Sequence, residues 1–547
     1  MHFKPERLTG LVLVLLAGLS VRPVFAQQPL NTGNFSGYFE TNGQYYQTDS
    51  AIGATEVKEK WLNNGFMVLN YSYGNLTAGV RYESYLNAIQ GFDNNYRGNG
   101  IVNRYITYTG EKLTVTAGNF YEQFGSGLIF RTYWEPNLGL DNSMDGIRAV
   151  FQPRNGITLK GVIGKQRDFF TTGPGIVRGV DGDIQLNDVI QELSASKLRI
   201  GIGGSFVSKY QKDNDDTYIL PENVGAYSGR IQLGYGKFAF DAEYAHKIND
   251  PSQTNLFTYN DGEAFFTNLT YTQKGLGIRI SGKRVSNMDF RSDRSASLTR
   301  LLINYLPAVN RQQTYRLATL YPYATQPMGE MGGSAEIYYT FKPKSKLGGK
   351  FGTTIMLNYA GVYDIERTDL DDTLGYKSDF FAIGQDKYYE EFTFELSKKI
   401  NKNNKFVLSY LYQVYDRNKL EGKIGQRQVT AHLGVMEYTL KLSGTKSLRF
   451  DVEHLYTEQD RGNWAMALVE YTVAPHWSVA LFDEWNYGND KKDFRIHYFN
   501  GSLTYVAGGT RLMIGWARQR AGLLCVGGVC RFVPASNGVT LTISSRF

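Results

Sequence analysis

The chain has 547 residues, with 39 Tyr and 32 Phe but only 14 Pro, and its mean hydropathy is −0.35. The net charge of +7 includes about +2 from the first 26 residues; the remainder is mild for this length and predicts no nucleic-acid partner. Apart from Leu11–Leu19 there is no long apolar run, which excludes a transmembrane helix and leaves two classes, a membrane β-barrel and a secreted β protein.

Lys4 and Arg7 precede the apolar run, and Val24-Phe25-Ala26 places small residues at the minus-three and minus-one positions. This pattern predicts a signal peptide over residues 1–26, cleaved after Ala26. No Cys follows the cleavage point, so nothing points to a lipoprotein, and the two Cys of the exported chain are expected to be oxidised. Residues 27–33 read as a short periplasmic segment and 34–547 as a single β domain.

From there the chain reads as strands nearly throughout. Met67, Leu69, Tyr71 and Tyr73 alternate with Val68, Asn70 and Ser72; Gly74-Asn75 turns the chain; Leu76, Ala78, Val80 and Tyr82 then alternate with Thr77, Gly79, Arg81 and Glu83. The unit of strand, tight turn, strand and long loop recurs. Tight turns are read at Gly110-Glu111-Lys112, Pro153–Gly156, Ser194–Ser196, Gly236-Lys237, Lys274-Gly275, Lys344–Lys350, Asn401–Asn404, Gly444–Lys446, Pro475-His476 and Ala507–Thr510. Long loops are read at Phe124–Asp145, Asp168–Val177, Ser286–Met331 and Asp364–Lys387. That parity fits an all-β fold, a single large antiparallel transmembrane β-barrel of about 24 strands (22–26), with short periplasmic turns and long extracellular loops. The closing strand is Val539–Phe547, with Val539, Leu541, Ile543 and Phe547 on one face and Thr540, Thr542, Ser544 and Arg546 on the other. It is expected to pair with the first strand, Asn34–Gln47, through Phe35, Phe39 and Tyr45. A terminal Phe547 resembles the barrel-assembly signal of outer-membrane proteins.

The polar faces carry charge: Arg81 and Glu83; Asp241 and Glu243; Arg279 and Lys283; Arg449, Asp451 and Glu453. A charge facing lipid at mid-depth costs roughly 2–4 kcal/mol, so these residues are expected to line a lumen. Their mixed signs predict a wet, salt-bridged interior without strong ion selectivity.

Two loops are too apolar or too long for plain connections. Phe124–Asp145, rich in Trp, Tyr and Phe, is expected to fold into the lumen or receive a partner. Ser286–Met331 places Leu298, Leu301, Leu302, Tyr305 and Leu306 at helical spacing before Pro307, followed by a rigid extended segment, Tyr321–Pro327; it reads as a plug or as a cap. Cys525 and Cys530 flank Gly527-Gly528, and a structural disulfide there would contribute about 2 kcal/mol. Cys-x4-Cys is not a usual zinc spacing.

An enzyme needs a constellation that is not found. The exported chain's histidines, His246, His432, His454, His476 and His497, have no clustered metal spacing, and no Gly-x-Ser-x-Gly elbow occurs. His246 with Asp250 could imitate a barrel protease, and His454 a barrel lipase, but His454 shares the face of Phe450 and Val452 and reads as a girdle residue. No catalytic residue, metal or cofactor is therefore assigned.

Tyr133–Leu140 with Asp145–Arg148, Asn304–Pro307 with Tyr321–Tyr323, and Cys525–Arg531 resemble an uncharacterised family of outer-membrane β-barrel proteins of Bacteroidota. The resemblance implies a barrel in the cell outer membrane and brings no site residues with it. A barrel this wide would leak if empty, and residues 27–33 are too few for the N-terminal plug of TonB-dependent transporters. The functional expectation is a channel or transport protein of unknown substrate, its lumen closed by its own loops or by a partner. The alternative is a non-transporting scaffold or accessory subunit of a secretion or assembly complex. Expected partners are outer-membrane lipid, the barrel-assembly machinery and a plug or secretion-system protein.

Overall fold

The computed structural model of the chain describes residues 33–425 and 428–547. The expected signal peptide and residues 27–32 lie outside the described residues. Twenty-four strands form one antiparallel sheet in which each strand pairs with its neighbours in sequence. The last, Ser536–Arg546, pairs with the first, Asn34–Gln47, in a register running from Tyr38 opposite Arg546 to Gln47 opposite Asn537, and the sheet closes on itself. Two more bonds extend the seam: Gly37 N–H donates to the Phe547 carbonyl (2.7 Å), and Phe547 N–H donates to that of Gly37 (3.1 Å). Phe39 and Tyr45 lie opposite Ser545 and Val539. Phe35 is not paired with the closing strand, whose pairing begins at Gly37; its ring packs on Tyr71 of the second strand at 4.6 Å.

Connections at the end that carries both strand termini are mostly tight: 74–75, 110–112, 236–237, 274–275 and 508–509. Two expected tight turns there are longer. Ser194–Ser196 belongs to the connection 186–197, which winds into the helical turns Leu186–Val189 and Gln191–Leu193 around the buried Asn187; its amide donates to the carbonyls of Leu193 and Leu198. Lys344–Lys350 lies within 342–352. At the opposite end, the expected long loop Asp168–Val177 is instead a hairpin turning at 169–170, followed by a register shift between Thr172 and Ile176. Gly173-Pro174-Gly175 makes this bulge, and a Cβ on Gly175 would lie 2.0 Å from the Ser292 carbonyl oxygen. The bulge exists to let another loop's backbone lie against the wall.

Along the strands the outward side chains are mostly apolar, and the inward ones are polar or, where connections pack on the wall, apolar. On Lys446–Tyr456, Phe450, Val452, His454 and Tyr456 are exposed while Asp451, Glu453 and Leu455 are buried. On Leu276–Ser286, Ile280 is exposed and Ser281, Lys283 and Val285 are buried. This inverts the pattern of a soluble sheet and matches that of a barrel standing in lipid. Among the described residues, no helix is long and apolar enough to cross a membrane.

The seam depends on close backbone approach. Gly538 has φ +149°, and a Cβ there would lie 1.8 Å from the Tyr45 carbonyl oxygen. Gly538→Val is expected to block closure, read as loss of the compact, heat-modifiable band in unheated SDS gels; a normal band would contradict this seam.

Candidate functional site: a lumen filled by loops

The largest buried groups cluster where three connections enter the cylinder from the long-loop end. In 121–143, Phe124, Leu128, Ile129 and Phe130 have no exposed surface, and each such side chain contributes about 1.5–3 kcal/mol on burial. Phe124 packs against Gly179 and Val207 of the wall. Gly125, at φ +51°, lies against Glu243, where a Cβ would come within 2.4 Å of the carboxylate. Ser126 donates to the same carboxylate from its backbone N–H (2.6 Å) and its hydroxyl (2.7 Å).

The second connection, 287–328, knits onto the first. Arg131 N–H donates to the Ile303 carbonyl (2.8 Å) and Tyr305 N–H to that of Gly127 (2.9 Å). Asn304 donates to the carbonyls of Leu128 (3.1 Å) and Met288 (2.8 Å); Asn142 (2.8 Å) and Gln166 (2.6 Å) both donate to that of Leu302. The expected helix over Leu298–Leu306 does not form. Leu298 and Leu301 have φ of 55° and 54°, and the Arg291 guanidinium takes the carbonyls of Leu298 (2.7 Å) and Arg300 (2.6 Å) that a helix would use. Tyr321–Pro327 runs without regular structure, its Tyr321 and Tyr323 rings packed on the wall rings of Tyr415 and Tyr389.

The same connection then crosses to the opposite wall. Glu453 accepts from the backbone N–H groups of Arg316 (2.8 Å) and Leu317 (2.7 Å). Glu484 is ion-paired with Arg316 and with Arg520 (3.2 Å), and Arg311 lies 3.5 Å from Glu395. Lys283 is ion-paired with Glu330 and donates to the Pro307 carbonyl (2.8 Å). The third connection, 520–535, carries a hairpin, Gly522–Val526 with Val529–Val533, in which Cys525 and Cys530 face each other and are disulfide-bonded. Its tip receives Tyr305 Oη–H at the Gly527 carbonyl (2.8 Å) and Thr325 N–H at that of Gly528 (3.0 Å). A cavity of about 360 Å³, lined in part by Gln312, Tyr321, Tyr323, Tyr389 and Arg520, remains between the hairpin and the second connection. A second, of about 790 Å³, lies beside Glu243 and is bounded by Lys160, Asp183, Arg199, Arg230 and Asp241.

A buried quartet ties the first connection to its wall. Arg81 pairs with Glu83 (2.9 Å) and with Asp141; Arg167 pairs with Glu83 (2.6 Å) and Asp141 (2.5 Å). Burial opposes ionisation of Asp141, but the Arg81 and Arg167 guanidiniums beside it outweigh that and hold its carboxyl below the usual carboxylate range.

The remaining charges noted in the sequence are dispersed. Asp241 accepts from Asn268 (2.8 Å); Arg279 is exposed near the short-turn end and donates to Asn268 (3.1 Å); Arg449 pairs with Glu437 (2.7 Å) and lies 3.4 Å from the buried Asp451. Phe547 is exposed at the seam. His246 and Asp250 are not brought together: His246 lies 3.5 Å from Asp261, and Asp250 pairs with Lys209 (2.6 Å). His454 is exposed outward, 2.6 Å from the Tyr487 hydroxyl. Among the described residues no group of three or more His, Cys, Asp or Glu is arranged to hold a metal ion. Sequence reasoning missed Asp141, Arg167, Arg316, Glu330, Glu484 and Arg520. Glu330 and Glu484 sit on the inward phase of their strands and could have been read from alternation; the others could not.

A family model matches residues 6–547, almost the whole sequence. The chain belongs to the family of unknown function DUF6029. A comparison with curated proteins returned no match. Among solved structures, this DUF6029 chain is similar to the siderophore receptor PirA from Pseudomonas aeruginosa, at 8% identity and a TM-score of 0.42, covering 95% of this chain and 81% of that one. It is also similar to the translocation pore of the P pilus usher PapC, at 9% and 0.41, covering 94% and 99%. A third is OpdQ of Pseudomonas aeruginosa, at 9% and 0.34, covering 94% and 97%.

Asp141→Asn leaves Arg81 and Arg167 with Glu83 alone and is expected to destabilise the first connection by about 3–5 kcal/mol, the usual result of breaking a buried ion pair. Because the folded-state pKa of Asp141 is lowered, its stabilisation is full above the ordinary carboxylate range and lost as pH falls through the folded value. Limited proteolysis within 121–143 should therefore become faster in the variant at neutral pH, and in the parent only under strong acid. Equal cleavage rates at neutral pH would contradict this role.

Proposed function

We propose that this protein is an outer-membrane channel or transport protein whose lumen is closed by its own connections 121–143, 287–328 and 520–535. A signal peptide removed after Ala26 would deliver it, and the assembly machinery would read Phe547. The observation that carries the reading is the crossing of the lumen by one continuous hydrogen-bonded plug, anchored at Glu243 on one wall and at Glu453 and Glu484 on the other. A cylinder of this strand number has room for a passage once such a plug yields. The anchors at the far wall are few and charged, whereas the contacts between the first two connections are many. The plug is therefore expected to yield at the far wall, around Arg316, with 121–143 staying in place. With 121–143 in place, Arg81, Glu83 and Glu243 stay covered by it, and Asp241, Arg279, Lys283, Arg449, Asp451 and Glu453 would line the passage, with signs too mixed for strong ion selectivity.

Planar-bilayer recording tests this. The parent protein should be mostly closed. Arg316→Ala removes one partner of Glu484 and is expected to raise the open time about tenfold, a loss of about 1.4 kcal/mol once the partial exposure of Arg316 is discounted. Silence of the parent, of this variant and of a chain lacking 310–325 would contradict a channel and favour the scaffold reading.

A further inference from the structure

One connection turns the other way. Residues 366–382 link the strands Thr353–Ile365 and Ile383–Lys399, and they lie against the outer wall rather than inside it. The side is fixed by the residues they touch. On Leu276–Ser286, Lys283 and Val285 point into the buried interior, so Arg284 between them points outward; on Phe238–Lys247 and Gly262–Gln273 the same alternation puts Tyr244, Glu263 and Phe265 outward. Arg284 is nevertheless only 2% exposed. It pairs with Glu263 (2.9 Å), which also accepts from the Tyr244 hydroxyl (3.0 Å). The connection covers Arg284, while the Glu263 side chain stays 33% exposed. Arg284 donates to the Ser378 hydroxyl (3.2 Å), and the Phe380 ring lies 5.1 Å from its guanidinium, 5.9 Å from Phe265 and 6.1 Å from Tyr244. Tyr376 holds the base of the segment through the Ser286 hydroxyl (2.9 Å) and the Met328 carbonyl (2.8 Å).

Tyr244 is three residues short of the end of its strand, so Phe380 rests about 10 Å below the rim, measured along the strand. Beside it Phe381 is 82% exposed, pointing away from the protein at the level of the outward rings. An aqueous loop has no reason to descend an apolar wall and hold a phenylalanine off it. A loop tip standing in lipid has two: it takes the Arg284 guanidinium out of hydrocarbon contact, and it continues the apolar belt over the gap that this charge leaves.

We propose that the tip of this connection, Phe380-Phe381, forms a membrane-facing strap that covers Arg284 and places Phe381 among the acyl chains of the outer leaflet, with the exposed charged residues of 366–379 left at the aqueous interface. This rests on the membrane reading above, and the test separates the two. Single cysteines are introduced by Phe381→Cys, by Ile280→Cys in the outward belt and by Asp216→Cys in the connection 211–222. Each is spin-labelled in reconstituted bilayers, and collision with dissolved oxygen is compared with collision with a water-soluble nickel complex. Phe381 is 82% exposed and meets Phe380 edge-on, so the change removes little packing. The label at 381 is expected to favour oxygen several-fold, as at 280, with 216 favouring nickel. Nickel preference at 381 with oxygen preference at 280 would overturn the strap and leave the membrane reading standing. Nickel preference at both would overturn both.

Discussion

A closed sheet one residue thick has no core of its own. Every strand of this barrel shows one face to the outside and one to the lumen, so the wall alone buries almost nothing, and the buried surface must come from segments laid against it. That constraint accounts for where the chain spends its residues. Apart from Arg284 on the outer wall, the largest fully buried side chains, Phe124, Phe130, Phe290, Tyr389, Tyr415 and Trp464 among them, occur where connections meet the inner wall near the long-loop end. Toward the short turns the inward residues are half-buried or exposed, as at Arg279 and Arg449, and the wall stands by its ladder hydrogen bonds and by cross-strand pairs such as Arg449 with Glu437.

The polar lumen sets the terms on which the filling segments enter. An inward carboxylate needs partners once water is displaced, and the connections supply them from their backbones: Ser126 to Glu243, Arg316 and Leu317 to Glu453. The connections in turn leave carbonyls to satisfy, and wall or loop amides such as Gln166, Asn142 and Asn304 take them. Plug and wall are thus each other's solvent. The disulfide hairpin closes the stack from above by binding Tyr305 and Thr325 rather than the wall. It is also held by Arg531, which donates to the Asn137 carbonyl of the first connection (2.7 Å), so movement of 287–328 must break the contacts at the hairpin tip.

Much of the barrel was legible in the sequence because its physics is local. Alternation along Leu76–Tyr85 or Lys446–Tyr456 states which side faces out, and the tight turns state where the chain reverses. Legibility failed where a distant segment sets the local structure. Gly173-Pro174-Gly175 looks like a loop, yet it is a bulge made to admit the Ser292 backbone. Leu298–Leu306 has helical spacing, yet Arg291 takes its carbonyls and the leucines serve an irregular turn. Arg167 shares the phase of Ile163 and Lys165, both exposed, and is drawn inward by Glu83 and Asp141. Asp141, Arg316 and Arg520 belong to connections with no period, so nothing near them in sequence announces their partners.

The central claim is that residues 287–328 fill the lumen and reach its far wall. Tyr321 reports on this directly, since its ring packs 5.6 Å from that of Tyr415, at the end of the strand Asn404–Tyr415. With photoreactive benzoylphenylalanine at position 321 in native membranes, irradiation should give a cross-link that mass spectrometry maps to that strand. Cross-links confined to other connections, or to other proteins, with none to any barrel strand, would contradict the account.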